Sequence, residues 1–234
     1  MKTNGSVLKN LSFDRISDIE FHGDNHVTSS TETPLRDNAF VLDDDEKIAR
    51  IENNFREIME TMGLDLTDDS LSGTPHRVAK MFIKEKFSGL SPQNKPVMRA
   101  FENKYQYNQM IVEKNITVNS SCEHHFVPIT GKAHVAYISN GKVVGLSKLN
   151  RIVDYYSRRP QVQERLTRQV AEELRTSLNT EDVAVIIEAK HLCVSSRGIQ
   201  DDSSTTVTAE YLGAFKNEPK KRELLDYIKM SLDK

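Results

Sequence analysis

The sequence predicts an α+β domain built on an antiparallel sheet. Three observations carry that expectation: helical spacing of apolar residues before residue 90, β-rich segments between 110 and 145, and two further helices followed by a strand pair. From Ile48 the apolar residues Ile51, Phe55, Ile58, Met59 and Met62 recur at three- and four-residue intervals, an amphipathic helix stopped near Gly63. Thr74-Pro75 supplies an N-cap followed by proline, with Val78, Met81 and Phe82 facing inward as far as about Phe87. Arg77 and Lys80 are neighbours on the other face. Segments 110–118 and 131–139 are rich in Val, Ile, Thr and Tyr, and Asn140-Gly141 turns the chain into 142–145, which reads as an antiparallel hairpin. Ser147 can cap a helix with Leu149, Ile152, Val153 and Tyr156 inward. Pro160 opens another with Val162, Leu166, Val170 and Leu174 inward. Strands at 183–189 and 205–212 complete the sheet before a last helix around 222–232.

Composition narrows the class. At 234 residues the chain can bury a sizeable core, and 37% hydrophobic against 28% charged residues leaves much of its surface solvated. A formal net charge of −2 gives no support for nucleic-acid or membrane-surface binding, both of which favour a basic excess. Residues 1–23 lack the apolar block of a signal peptide, and runs such as 183–187 are too short to span a bilayer, so the expectation is a cytoplasmic protein with reduced thiols. Residues 1–45 are rich in Ser, Thr, Asn and Asp, end in Asp43-Asp44-Asp45-Glu46, and read as a disordered polar extension. His22 and His26 within it receive no role.

Each of the two cysteines sits beside histidine, in Cys122-Glu123-His124-His125 and in His191-Leu192-Cys193. Thiolate and imidazole are zinc's preferred donors, and a pair two residues apart can reach one tetrahedral ion from a single turn: Cys122 with His125 or, less naturally, His124. Cys193 would be the third ligand. Three protein ligands leave one position open, as catalytic zinc requires, whereas a zinc-stabilised binding module would want a fourth. The plainer alternatives are buried cysteines or a disulfide. Histidines adjacent to ligands, His124 and His191, titrate near neutrality and suit either proton transfer or orientation of a ligand. Glu123 is a candidate base or a structural carboxylate.

Two further constellations suit a nucleotide. Ser147-Lys148-Leu149-Asn150-Arg151 places Lys148 and Arg151 one turn apart at a helix N-terminus, where backbone N–H groups and the dipole also favour an anion. Arg197, and Arg77 with Lys80, add positive charge, although each alone reads as a solvated surface residue. In Gln161-Val162-Gln163-Glu164, a carboxylate can match the paired ring N–H and amino donors of guanine, while glutamate in a first helical turn is equally well explained by the dipole.

Together, Ser120-Ser121-Cys122-Glu123-His124-His125, Gly145-Leu146-Ser147-Lys148-Leu149-Asn150-Arg151, the stretch from Ser157 through Pro160-Gln161-Val162-Gln163-Glu164 to Thr167, and His191-Leu192-Cys193 closely resemble the GTP cyclohydrolase I family. The resemblance includes Thr74-Pro75-His76-Arg77-Val78-Ala79-Lys80 and extends from about Asp45 to the C-terminus, which makes 46–90 a helical part and 110–234 a catalytic part. It implies the tunnelling fold, in which subunit sheets join into a barrel, and a toroidal homodecamer of two pentamers with active sites between subunits. It implies conversion of GTP and water to formate and 7,8-dihydroneopterin triphosphate. Cys122, His125 and Cys193 would hold one Zn2+ per subunit, whose water attacks guanine C8. His191 would protonate the ring nitrogen with His124 assisting, and Gln163 and Glu164 would recognise guanine. Ser147, Lys148, Arg151 and Arg197 would hold the triphosphate, joined by Arg77 and Lys80 from a neighbouring subunit, and Ser147 would also relay protons. Val194-Ser195-Ser196 is a variable stretch in the family, and His134 reads as an ordinary strand residue. Sibling enzymes of the same fold that use an all-histidine zinc site or a nucleophilic cysteine are disfavoured by the cysteine pair.

Overall fold

The computed structural model describes residues 30–230. His22, His26 and most of the expected polar extension lie outside them, as does the end of the expected last helix. The acidic run before residue 47 has a specific role: Asp43 caps helix α1, Asp44–Thr61. Its carboxylate accepts from Glu46 N–H at 2.8 Å while the Glu46 side chain accepts from Asp43 N–H at 3.0 Å, a reciprocal box in which the acidic first turn also opposes the helix dipole. A short α2, Asp69–Ser72, leads into α3, Thr74–Met81, which continues as a π-helical turn, Phe82–Lys86. Gly73 is the residue at the N-cap of α3, so Thr74 lies inside the helix and its hydroxyl accepts from Arg77.

Five strands form the main sheet in the order β5-β2-β3-β6-β7, with β2 Met110–Cys122, β3 Pro128–Ile138, β5 Pro160–Gln161, β6 Val183–His191 and β7 Thr206–Tyr211. All pairings are antiparallel except that of β5 with β2. A bulge between Glu113 and Ile116 places Asn115 at a φ of 61°, and Asn115 N–H donates to His134 Nδ1. The expected hairpin at Asn140-Gly141 is corrected. The turn exists, but β4, Lys142–Val144, pairs with β1, Ala100–Glu102, in a separate two-stranded sheet. β3 already has β2 and β6 on its two edges, so no ladder position remains for β4.

Helices α4, Leu146–Ser157, and α5, Gln163–Leu178, cover one face of the sheet. Val118, Val135, Leu149, Ile152, Leu166, Val170, Leu174, Val185 and Ile187 form a continuous core there. Gly145, not Ser147, occupies the N-cap of α4, and Tyr155 is buried with Leu149, Ile152 and Val153, whereas Tyr156 of the expected core face is only partly buried. Pro160 belongs to β5 rather than to α5, and α5 begins at Gln163 with Val162 at its cap. On the opposite face α7, Glu218–Lys229, packs Leu224 against Met110, Ala136, Ala184 and Ile186. Lys114 donates to the carbonyls of Tyr227 and Met230 at the end of that helix. The result is an α+β fold with a mixed sheet and flanking helices.

Gly131 sets how closely β3 and β6 approach. A Cβ there would lie 2.1 Å from Glu188 O and 2.5 Å from Ala189 Cα, both backbone atoms of the paired strand. Gly131→Ala is expected to lower stability by about 1–3 kcal/mol, the range for overpacking a tight site. Chemical denaturation measures it, and an unchanged midpoint and slope would contradict that close approach.

Candidate metal centre and active site

β2 and β6 run in the same direction on either side of β3, so both end at the same edge of the core. Cys122 is the last residue of β2 and Cys193 lies in α6, Leu192–Ser195, just past the end of β6. The tight turn after β2 is closed by Phe126 N–H to Cys122 O and Cys122 N–H to Val127 O, each 2.8 Å. That turn swings His125 back toward the cysteines. The donor atoms of Cys122, His125 and Cys193 lie within 4.8 Å of one another. Both cysteines are free thiols, so the disulfide alternative fails.

The three residues fit zinc. Bond lengths of about 2.3 Å to sulfur and 2.0–2.1 Å to nitrogen at tetrahedral angles require donor separations of roughly 3.4–3.8 Å, so a contraction of at most about 1 Å would seat the ion. Two sulfurs and one imidazole are also the donor set for a borderline-soft cation. Burial and the adjacent Cys122 sulfur push the Cys193 thiol up, a cost that a bound cation would offset.

Of the imidazoles outside the ligand set, His124 Nδ1 is 3.7 Å from Cys122 Sγ. His191 donates or accepts through Nε2 at 2.7 Å from Gln163 Oε1. Gln163 fixes the sense of that bond. Its amide nitrogen faces Ile187 O, Thr206 O and Thr208 Oγ1 at 3.0–3.1 Å, so its oxygen points to His191 and the hydrogen lies on His191 Nε2. Burial pushes the His191 pKa down, against an opposing pull from the Glu164 carboxylate. Gln163 is only 1% exposed, so its side chain braces His191 and faces no solvent, whereas Glu164 beside it is exposed.

Arg197 Nη1 lies 2.7 Å from His125 Nε2, which places one expected phosphate ligand at the cluster. Arg77 donates to Ser70 O and Thr74 Oγ1 on its own segment, and Lys80 is exposed on α3. The π turn after α3 does reach the site, since Phe82 and Phe87 pack around Phe126 at centroid distances of 6.5 and 5.1 Å.

Ser147, Lys148 and Arg151 lie elsewhere. Asn150, in the same first turns of α4, donates to Glu113 near the start of β2, and the strand from Glu113 to Cys122 extends on the order of 30 Å at about 3.3 Å per residue. Within one chain, Ser147 and Lys148 therefore lie toward the start of β2, away from the metal-bearing strand end, while Arg151, one turn further along α4, lines a pocket with Ser88, Gly89 and Arg158.

Sequence reasoning overlooked Arg165, which forks onto Glu123. Its only signal was a charged residue next to the inward stripe of α5.

A Cys2His cluster at the end of a mixed sheet, with two more imidazoles beside it, defines an α+β protein with a centre suited to a transition-metal ion. The sequence pattern of GTP cyclohydrolase I matches residues 51–229. The chain is 60% identical to a GTP cyclohydrolase 1 of Flavobacterium johnsoniae over 208 residues, 89% of this chain and 93% of that protein. It is 54% identical to that of Aeromonas salmonicida over 82% of this chain and 87% of the other, and 52% identical to that of Vibrio parahaemolyticus over the same shares. A crystal structure of the archaeosine synthase QueF-Like in the apo form aligns with 45% of this chain and 94% of that one, at 18% identity and a TM-score of 0.38. The chain belongs to the GTP cyclohydrolase I family. It is a hydrolase of that class, converting GTP and water to formate and 7,8-dihydroneopterin triphosphate. No helix among the described residues is long and apolar enough to cross a membrane.

Proposed function

We propose that the reaction runs at a zinc ion held by Cys122, His125 and Cys193, in sites completed between subunits of a homo-oligomer. The observation that carries this reading is the convergence of those three donors from strand ends far apart in sequence. Bound there, zinc supplies a Lewis acid that brings the pKa of a coordinated water to about 7.

The chain's own groups supply the rest. His191, its ring fixed by Gln163, holds the proton delivered to the purine ring nitrogen as the five-membered ring opens, and His124 assists. Glu164 accepts from the paired N–H and amino donors of guanine, while Gln163 contributes by ordering the same helical turn. Lys148, Arg151 and Arg197 hold the triphosphate, and Ser147 at the same helix start relays protons during the later ribose rearrangement and closure onto the freed amine. Arg77 and Lys80 complete the anion site from another subunit.

The separation of α4's first turn from Cys122 supports assigning Ser147 and Lys148, followed on the same helix by Arg151, to a neighbour's metal centre. The open edge of β7, with Val207 exposed, offers the backbone groups through which sheets could join. A toroidal decamer of two pentamers satisfies both requirements and follows the family resemblance.

Incubation of the purified protein with GTP should release formate and give a product that oxidises to a fluorescent pterin, and a chelator should stop it. Cys193→Ser is expected to lose zinc and formate release together, whereas zinc content near one per chain with full turnover would reject the ligand set. His191→Ala should keep zinc and GTP binding yet turn over on the order of 100-fold more slowly, the scale of a lost proton-transfer group. Parental turnover would remove His191 from that role. Finally, Lys148→Ala and Cys193→Ser chains, each inactive alone, should regain activity when unfolded, mixed and reassembled. No recovery from a mixture that assembles normally would place both residues in one chain's site.

A further inference from the structure

We propose that Arg165 is a positioning residue of the metal centre, acting through the Glu123 carboxylate to fix the turn that carries His124 and His125. The inference rests on the reading of Cys122, His125 and Cys193 as the metal ligands. Glu123 sits between Cys122 and His124, and both of its oxygens are engaged by one guanidinium: Arg165 Nη1 to Oε2 at 2.6 Å and Nη2 to Oε1 at 3.2 Å. The Arg165 side chain is 2% exposed and that of Glu123 20%, so the pair is largely withdrawn from water. A carboxylate held in this bidentate way is an anchor and not a base.

The geometry explains why an anchor is needed there. The turn's own backbone closes Cys122 against Phe126 and Val127, and Glu123 N–H donates to Gln161 O at 3.0 Å. Those bonds fix the base of the turn. The side chains of His124 and His125 project from its exposed crest, where Phe126 adopts a φ of 56°, in the left-handed region that non-glycine residues disfavour. Arg165 is the charged tether that ties the crest to α5. Two residues earlier on that helix, Gln163 braces His191 just before Cys193. One helical turn therefore sets the positions of both ligand-bearing segments, and the spacing between them follows from α5 itself.

Lysine at 165 keeps the charge but loses the planar fork, so Arg165→Lys separates positioning from charge balance. The test compares the parent, Arg165→Lys and Glu123→Gln as zinc-loaded full-length protein. It measures thermal melting, the rate of zinc transfer to a chromogenic chelator without GTP, and kcat and KM for GTP. Arg165→Lys should fold with a melting profile close to the parent's, release zinc at least about tenfold faster, and lose about tenfold or more in kcat with KM within about twofold, the effect expected of a partner that orients a ligand. Parental zinc release and kcat in folded Arg165→Lys would overturn the proposal, as would a loss confined to KM. If Arg165→Lys fails to fold, Glu123→Gln, which keeps the side-chain shape and one acceptor, is judged by the same criteria. The parent controls keep the two readings apart. A parent that holds zinc but makes no formate from GTP defeats the proposed function, while the zinc-release comparison still decides the role of Arg165.

Discussion

The site depends on one row of the sheet, in which Ser120 of β2, Ile129 of β3 and His191 of β6 face one another. Cys122 lies two residues beyond this row at the end of β2, and Cys193 two residues beyond it in the short α6 that follows β6, the two strands exiting in the same direction. Side chains alternate between faces along a strand, so a slip of one residue in the β2–β3 pairing would carry the Cys122 sulfur to the far face, and a slip of β6 would displace the start of α6 and Cys193 with it. Gly131 sits two residues along β3 from Ile129, opposite Ala189, where the strands pass too closely for a side chain. Its missing Cβ and the apolar face of Ile129, Ala133 and Val135 hold the register that creates the metal centre.

Register brings the cysteines together, but α5 sets what surrounds them. Beside its apolar stripe of Leu166, Val170 and Leu174 runs a ridge of polar residues at intervals of four: Arg165, Gln169, Glu173 and Ser177. Arg165 holds Glu123, Gln169 accepts from Gln161, and Glu173 accepts from Lys95, Tyr156 and Ser177. Apolar packing is non-directional and would allow the helix to turn or slide by a fraction of a residue. A file of directional bonds, costly to bury unpaired, removes that freedom. The same network raises the Tyr156 pKa, through burial first and the Glu173 charge second, so its hydroxyl remains a donor. Arg159 stacks on the rings of Tyr155 and Tyr156 and joins α4 to the arrangement.

Much of this was legible in the sequence because periodicity reports which face of an element is buried. Leu149 through Tyr156 and Leu166 through Leu174 identified α4 and α5, Ile51 through Met62 identified α1 although Ile58 and Met62 are exposed, and the two Cys/His pairs identified the donors that the fold assembles. Periodicity does not report partners. Nothing in 142–144 distinguishes a strand that pairs with 131–139 from one that pairs with 100–102, because the choice was made by β6 occupying the edge of β3. Charge was ambiguous for a similar reason. Asp43 to Glu46 read as the end of a polar extension and Arg165 was overlooked, yet one group caps a helix and the other is a buried anchor, and only the position of the next element decides such roles.

Distance was the least legible quantity. Lys148 and Arg151 follow Cys122 by fewer than thirty residues, and their chemistry suits the same nucleotide, yet α4 starts beside Glu113 and runs back along β2, so its anion-favouring N-terminus faces away from the thiols. The surroundings of that N-terminus differ from those of an isolated anion site. Leu146 is exposed at its first position, and Phe101, on the strand paired with β4 just before it, is exposed as well. Water would be a poor neighbour for a cluster of this kind, and a second protein surface a good one. A chain that presents a metal centre at one end of its sheet and a basic, apolar-rimmed helix start away from it suits the meeting of copies proposed above. Under the proposed assembly, the separation of the two half-sites in one subunit becomes the condition for joining them in two.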